Sequence, residues 1–523
     1  MDRGGAWGQR HAPARNDAVT AGAPRPSSPL RAYAAQLLSR SAGAPLVEGN
    51  QVRILRDAAG HFPEWMRAIE SARRIIYLEC YIISDDSTGR RFAEALAARA
   101  RAGVTVRLLY DWVGCLGESG SRFYGRLREA GVEVRCFNPA RIDNPFGWLT
   151  RDHRKMLAVD GRIGFVTGLC LSARWEGDAS KGLEPWRDTG VALEGPAVAD
   201  LEAAFAEVWA TTGDAIPAGE LTPPASIVPC GDMALRVIAT APATAGVYRV
   251  DLTMSSLAQK TLWLTDAYFV GIPTYVQALC TAARDGVDVR LLVPGSSDVP
   301  IVSPLSRSGY RPLLEAGVRV FEWNGTMLHA KTSVVDGQWA RVGSTNLNLQ
   351  SWMGNYELDV AVEDPGFAGE LEAMYLEDLA RATEIVLSKR SRVQPIIHPA
   401  GRRRWRRLAR GQSSRAATSA VRWVNSVGAA IANRRELGPA ESRLMASMGL
   451  LLLVVAGIAV AWPRVVAMPV ALLAFWLAVG SIARAWRLRT APRRAAAMPV
   501  IVQGASEATP ERLPDRLSAD RLP

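Results

Sequence analysis

His153-Arg154-Lys155-Met156-Leu157-Ala158-Val159-Asp160 and His329-Ala330-Lys331-Thr332-Ser333-Val334-Val335-Asp336 are the two stretches that decide how this chain reads. In each, Lys follows His by two residues and Asp follows it by seven. Composition makes the coincidence hard to set aside. The 523 residues hold five His and five Lys (155, 181, 260, 331 and 389), so 57 of the 62 basic residues are Arg. A chain that writes Arg almost everywhere places Lys two positions after two of its five His. Lys is a compact, mobile point charge that can grip one phosphate oxygen, a different tool from the planar Arg fork.

The flanking residues repeat as well. Apolar, partly alternating runs lead to Asp160-Gly161 and to Asp336-Gly337, and a second apolar run follows each, Ile163 to Val166 and Ala340 to Val342. That is the pattern of two β-hairpins. Residues i and i+2 of a strand share a face, so each His and its Lys are expected to point into one site. The hairpins run on to Thr167-Gly168-Leu169-Cys170 and Gly343-Ser344-Thr345-Asn346, whose hydroxyl, amide and glycine positions could offer donors to a phosphate.

The duplication spreads beyond the motifs. Gly103-Val104-Thr105-Val106-Arg107-Leu108-Leu109 matches Gly286-Val287-Asp288-Val289-Arg290-Leu291-Leu292, and Glu129-Ala130-Gly131-Val132 matches Glu315-Ala316-Gly317-Val318. The offsets are 183 for Gly103 to Gly286, 186 for Gly131 to Gly317 and 176 for His153 to His329. Steady offsets with small insertions are what a duplicated domain leaves behind. Apolar strands alternate with helical stretches such as 91–101 and 274–284, which predicts an α/β fold with mixed sheets. Two halves with one motif each predict a pseudo-twofold arrangement with the site on the seam.

Paired HxKxxxxD motifs in a duplicated α/β chain resemble the phospholipase D superfamily. Tyr110-Asp111-Trp112-Val113-Gly114, Pro185-Trp186-Arg187-Asp188-Thr189 and Asn355-Tyr356-Glu357 look like its bacterial cardiolipin synthase branch. The resemblance covers roughly residues 45 to 390. It implies a duplicated phospholipase D-like domain and a two-step phosphodiester transfer, in which one His attacks phosphorus and the other protonates the departing alcohol. His153, Lys155, Asp160, His329, Lys331 and Asp336 form the implied catalytic set, with the Asp pair expected to brace the hairpins. The resemblance gives His153 the nucleophilic role and His329 the acid/base role, although the residues themselves allow the reverse. It also implies that Asp188 and Glu357, 35 residues after His153 and 28 after His329, orient the histidines. Ser344 and Asn346 complete the supporting set. Cys170 departs from the pattern, standing where the family usually carries Asn, and thiol for amide removes a strong donor.

The chemistry is sound from below. A phosphodiester is anionic and resists attack, so its site needs positive charge and an in-line nucleophile. An imidazole held by a carboxylate is such a nucleophile, and a second imidazole can shuttle a proton. Neither step calls for a metal or cofactor, and no cluster with metal-ligand spacing occurs in the sequence. Transferase and hydrolase share all these residues. Phosphatidyl transfer between phospholipids such as phosphatidylglycerol, hydrolysis to phosphatidic acid, and nuclease or nucleic-acid-binding activity are therefore the three readings, in that order.

The flanks bound the rest. Residues 1–44 are read as a disordered or amphipathic N-terminal segment without an apolar leader, 45–215 and 216–390 as the two halves, and Thr211 to Pro224 as their junction. The other cysteines (80, 115, 136, 230 and 280) lack CxxC spacing, mostly sit in apolar stretches and read as buried free thiols in a reducing compartment. Residues 391–443 form a polybasic linker: from Gly401 to Arg443 there are eleven Arg against Glu436 and Glu441, a net +9 of the chain's +11. The charge therefore does not describe a nucleic-acid groove in the catalytic body, and it suits an anionic membrane surface. Leu444 to Trp462 and Val465 to Ala483 are two uncharged stretches of 19 residues. Each is about 28 Å long as a helix, near the thickness of a bilayer core. Residues 444–483 are thus predicted to form a transmembrane helical hairpin and 484–523 a disordered tail. Basic residues outside both ends predict a multi-pass inner-membrane protein with both termini and the catalytic halves in the cytoplasm. No partner protein is inferred.

Overall fold

The computed structural model describes residues 29–141, 147–299, 302–387 and 393–395, with isolated positions between 450 and 479. The first half carries β1 (Val47–Arg56), β2 (Ile75–Cys80), β3 (Thr105–Asp111), β4 (Glu133–Phe137), β5 (Arg151–Asp152), β6 (Lys155–Val159), β7 (Ile163–Thr167) and β8 (Thr189–Glu194). The second carries β9 (Met233–Thr240), β10 (Thr261–Thr265), β11 (Asp288–Pro294), β12 (Arg319–Trp323), β13 (Thr332–Val335), β14 (Trp339–Gly343) and β15 (Asn355–Glu363), followed by β16 (Ala382–Leu387) and β17 (Val393–Pro395).

The first sheet runs β4-β3-β2-β6-β7-β8-β1. The second runs β12-β11-β10-β13-β14-β15-β9. Strand for strand, the second order repeats the first. In both, the three strands at one end are parallel and the rest antiparallel. Parallel neighbours need crossover connections, which Ser87–Arg101 and Ser121–Glu129 supply in the first half and Pro273–Arg284 and Tyr310–Glu315 in the second. The alternation read from sequence therefore maps onto a mixed α/β fold. Short pairings between β1 and β9, Val47 with Leu235 and Asn50 with Met233, link the two sheets.

Each motif hairpin turns on its Asp-Gly pair. Asp160 and Gly161 have φ of 58° and 65°, and Asp336 and Gly337 have 53° and 61°. Two successive positive φ values define the type I′ turn that matches the twist of a hairpin. The helix-side cores are built separately in each half, around Trp65, Phe92 and Leu157 in one and Val250, Leu279 and Trp352 in the other. A third cluster takes Tyr77, Val166 and Phe205 from the first half with Val334, Val360 and Leu371 from the second. Full burial of such side chains stabilises by about 1.5–3 kcal/mol each. The seam is thus a true core, and it fixes the two halves against each other.

Several boundary expectations need correction. Pro29–Ala42, assigned with the N-terminal segment, is a helix. Its Leu38 and Ala42 join the second half's core, because an apolar stripe that packs on Gly246–Leu257 has a reason to fold. Val393–Pro395 pairs with β16 and so extends the second sheet into the region read as linker. Cys80, Cys115, Cys170 and Cys280 are buried, but Cys136 is half-buried and Cys230 is exposed. No helix among the described residues is long and apolar enough to cross a membrane. Most of the hairpin predicted over 444–483 lies outside the described residues, as do 1–28, 396–449 and 484–523. The described positions from 450 to 479 are helical, and Leu450, Leu453, Val460, Met468, Leu472, Phe475 and Val479 are exposed there.

Candidate active site

His153 and His329 line one cleft of about 160 Å³, together with Lys155, Cys170, Asn346 and the rings of Tyr81, Trp175, Trp186 and Tyr268. The two motifs reach it from opposite sides of the seam. Neither histidine uses the carboxylate of its own half. His153 Nδ1 lies 2.8 Å from Oε2 and 3.0 Å from Oε1 of Glu357. His329 Nδ1 lies 2.8 Å from Oδ2 of Asp188.

Backbone pairing builds this crossing. The His153 amide donates to the carbonyl of Tyr356 at 2.9 Å, and the His329 amide donates to the carbonyl of Arg187 at 2.7 Å. Each acceptor is the residue just before the orienting carboxylate. Parallel contacts between β5 and β15 (Arg151 with Asn355, Asp152 with Tyr356) and between Arg187 and Leu328 hold these segments in register. A histidine zipped to the chain just before the other half's carboxylate meets that carboxylate and not its own.

The carboxylates are themselves fixed. Glu357 accepts from Ser344 Oγ at 2.6 Å and from Asn355 Nδ2 at 3.1 Å. Asp188 accepts from Trp175 Nε1 at 2.9 Å and from the Thr189 amide at 2.9 Å. Burial works against ionisation of both. The histidine each one faces, then the nearby motif lysine (Lys331 for Asp188, Lys155 for Glu357) and the bond from Trp175 or Ser344, outweigh it and hold both carboxyls below their usual range. Gly168 admits Asp188: a Cβ there would lie 2.2 Å from Oδ1.

Burial also lowers both histidines to about 4. For His153 the nearby Lys155 adds to this against Glu357, and for His329 Lys331 adds to it against Asp188. Both imidazoles are therefore neutral at pH 7 in the free enzyme. With Nδ1–H committed to a carboxylate, the lone pair on Nε2 is what each ring has left for a substrate. Lys155 and Lys331 are fully buried, and each ammonium donates to the carbonyl oxygen of its motif histidine. They also lie against aromatic faces, Lys155 at 5.0 Å from the Tyr81 ring centre and Lys331 at 5.9 Å from that of Tyr268. Burial, with Lys155 close by, lowers Lys331 to about 8. Lys155 and Lys331 balance the charges of Glu357 and Asp188, so the cleft carries no net negative charge to repel a phosphodiester.

The motif aspartates are elsewhere. Asp160 accepts from the amides of Arg73, Arg74 and Ile75, each at 2.8 Å. Asp336 accepts from those of Gln259, Lys260 and Thr261 at 2.9, 2.7 and 2.8 Å. Five residue steps along the hairpin separate each motif Lys from its Asp, about 17 Å. Asp160 and Asp336, grouped with the catalytic set but expected to brace the hairpins, are turn residues that fasten each hairpin to the start of β2 or β10. Ser344, read as a phosphate donor, gives its hydroxyl to Glu357. Asn346 does line the cleft, and its Oδ1 has no hydrogen-bond partner among the described residues. Sequence reasoning assigned no role to Asn355, Trp175 or Arg187, although all but Trp175 lie in runs it had singled out. Arg187 is buried and joins Asp378 and Asp57 to the backbone beside Asp188. His61 is a structural histidine, paired to the Asp57 carbonyl and Thr167 Oγ1. Among the described residues no His, Cys, Asp and Glu group could hold a metal ion.

A family profile described as "Cardiolipin synthase, PLD-like domain" matches residues 65–209 and 253–379. Cardiolipin synthase A of Pseudomonas aeruginosa is 36% identical over 363 residues, covering 68% of this chain and 72% of that protein. Cardiolipin synthase of Alkalihalophilus pseudofirmus is 34% identical over 351 residues, covering 66% and 69%. Among solved structures, phosphatidylserine synthase of Haemophilus influenzae aligns with a TM-score of 0.53 at 13% identity, over 67% of this chain and 92% of that one, a likeness of fold alone. With both halves matched by the profile and the same two motifs meeting in one cleft, the chain belongs to the cardiolipin synthase family of phospholipase D-like enzymes.

Proposed function

We propose that this phosphatidyltransferase moves a phosphatidyl group from one phosphatidylglycerol to another through a covalent phosphohistidine on His153. The observation that carries the reading is the pair of crossed histidine–carboxylate dyads in one cleft with two buried lysines. Nε2 of His153 attacks phosphorus, the P–O bond to glycerol breaks, and His329 gives the departing oxygen its proton. A second lipid's glycerol hydroxyl then loses its proton to His329 and attacks phosphorus, and the P–N bond breaks. Lys155 and Lys331 offset the charge that grows on the phosphoryl oxygens. Burial is the main cause that depresses the imidazoles, but the bound phosphodiester offsets the lysine field that adds to it, which helps one of the pair carry the proton it must deliver. The assignment of His153 as nucleophile follows the family resemblance. Incubating the purified protein with phosphatidylglycerol tests the reading: cardiolipin plus glycerol supports it, phosphatidic acid makes the enzyme a hydrolase, and DNA cleavage without lipid turnover makes it a nuclease.

The chain is further assigned to the inner membrane, with its catalytic halves on the cytoplasmic side, held by residues 444–483 and by the Arg-rich segment before them. The support is the length and apolarity of the two stretches and the basic residues outside them. Removing 401–523 is expected to release the catalytic body from membranes. Retention after a high-salt wash would move the anchor to the catalytic halves.

A further inference from the structure

Cys80 and Cys170 occupy, in the first half, the positions that Asp266 and Asn346 hold in the second. Cys80 ends β2 opposite Lys155. Asp266 follows Thr265, which pairs with Thr332, and so stands opposite Lys331 in the same way. In the second half the Asp266 carboxylate accepts from the amides of Leu347 and Tyr268, at 2.9 and 3.1 Å. In the first half the amide of Leu171, the counterpart of Leu347, turns to the Ile82 carbonyl at 3.1 Å. Cys80 Sγ donates to that same oxygen, also at 3.1 Å. One copy of the duplicated domain thus builds this corner from carboxylate and amide, and the other builds it from two thiols.

Both thiols are buried in one core cluster, Cys80 Sγ and the amide of the residue after Cys170 meet on the one Ile82 carbonyl, and Cys170 also lines the catalytic cleft. Burial works to raise the Cys170 thiol. The neighbouring Cys80 and the Lys155 ammonium outweigh it and draw Cys170 below the usual thiol value, while burial and then Cys170 hold Cys80 well above it. One thiol biased toward thiolate beside a second that still holds its proton is the arrangement of an attacking and a resolving cysteine.

We propose that Cys80 and Cys170 form a redox-modifiable dithiol, closed to a disulfide by a peroxide that reaches Cys170 through the catalytic cleft. The Cys170 thiolate attacks the peroxide, the O–O bond breaks, and the sulfur is oxidised to sulfenic acid as hydroxide leaves. Cys80 then attacks that sulfur, an S–S bond forms, and water departs with the Cys80 proton. A bond of about 2.05 Å pulls the Cys170 sulfur toward β2 and away from Lys155 and the cleft. A shift of about 1 Å passed from that corner to the reacting groups costs about tenfold or more in rate. The inhibition rests on the transferase reading above, whereas the bridge does not.

The test treats the full chain in detergent with hydrogen peroxide, blocks free thiols and maps peptides without reduction. A Cys80–Cys170 linked peptide is expected, rising in step with the loss of lipid transfer, and dithiothreitol should restore both. Cys80→Ser should form no bridge, carry Cys170 on to sulfinic acid and stay inactive after dithiothreitol. Cys115→Ser, which removes the other thiol at this corner, should behave as wild type, and unchanged melting temperatures check that both variants fold. Cys170 oxidised without a link to Cys80, a link to Cys115 instead, a bridge that leaves the rate unchanged, or recovery of Cys80→Ser like wild type would each overturn the proposal. A protein that bridges but transfers no lipid fails the functional reading and leaves the dithiol standing.

Discussion

Replacing Glu357 by Gln keeps the shape of the side chain and removes the charge behind His153. Three donors converge on this carboxylate: His153 Nδ1 at 2.8 Å, Ser344 Oγ at 2.6 Å and Asn355 Nδ2 at 3.1 Å. An amide has one accepting oxygen, so at least one donor faces an NH₂ group. Asn355 can only donate from Nδ2, which steers the NH₂ away from Oε1 and into the Oε2 position nearest Nδ1 of His153. Nδ1 then keeps only the oxygen at 3.0 Å as an acceptor and faces a competing NH₂ that favours the tautomer protonated on Nε2, the nitrogen that must attack. A hydrogen bond to a buried charge is worth about 1.5–3 kcal/mol, or roughly ten- to 150-fold in rate. With the wrong tautomer added, neutralising such a carboxylate costs about 10³–10⁴ in kcat. Steady-state cardiolipin formation from phosphatidylglycerol in mixed micelles reads this directly, with a melting curve to confirm folding. Because Glu357 acts through His153, the double variant with His153→Ala should be no slower than His153→Ala alone. A loss under about fivefold, or a double variant slower by the full product of the two single losses, would refute the crossed pairing.

Three further outcomes are expected. Asp160→Asn should cost about 2 kcal/mol of stability through its three amide bonds, while kcat/KM per folded molecule stays within about threefold; lost catalysis at an unchanged melting temperature would return the motif Asp to the chemistry. Gly168→Ala places a Cβ 2.2 Å from Asp188 Oδ1, so it should displace the carboxylate behind His329 and cut transfer about 10²-fold, whereas near-wild-type kinetics would mean that Asp188 tolerates the move. Glu79 is fully buried, and burial together with Asp152 raises its carboxyl well above the usual range. A raised folded-state pKa means the unfolded chain ionises first, so stability falls as pH rises from about 4 toward the folded value. Glu79→Gln should therefore raise the melting temperature more at pH 8 than at pH 5, and an equal shift at both would contradict the assignment.

The motifs, the duplication and the mixed α/β architecture were legible because they are local or periodic. Asp-Gly at a turn and the apolar run before it declare the hairpins locally, although the strands begin only at Lys155 and Thr332 and leave both histidines ahead of them, and the repeated Gly-Val-x-Val-Arg-Leu-Leu run declares the second copy. The crossing of Glu357 to His153 and of Asp188 to His329 was not legible, because it is set by pairing between segments about 200 and 140 residues apart, and spacing within each half points to the wrong partner. Ser344 was misread for a related reason. A small hydroxyl after a motif strand looks like a phosphate donor until the carboxylate it serves arrives from β15. The helix over 29–42 escaped because its surroundings in sequence are rich in Ala, Pro and Arg, while its stability comes from packing against 246–257. Cys170 stood out as a single departure, but only the fold shows that Cys80 departs with it.

The central claim is that one histidine carries the phosphatidyl group while the other moves the proton. The most direct measurement is mass spectrometry of peptides from enzyme quenched under alkaline conditions during turnover of phosphatidylglycerol, in wild type and in His329→Ala. The account predicts an acid-labile phosphatidyl adduct on the peptide containing His153, reaching higher occupancy in His329→Ala, and none in His153→Ala. An adduct on the peptide containing His329 would reverse the two roles. No adduct in any of the three, under conditions where wild type makes cardiolipin, would contradict the covalent route itself.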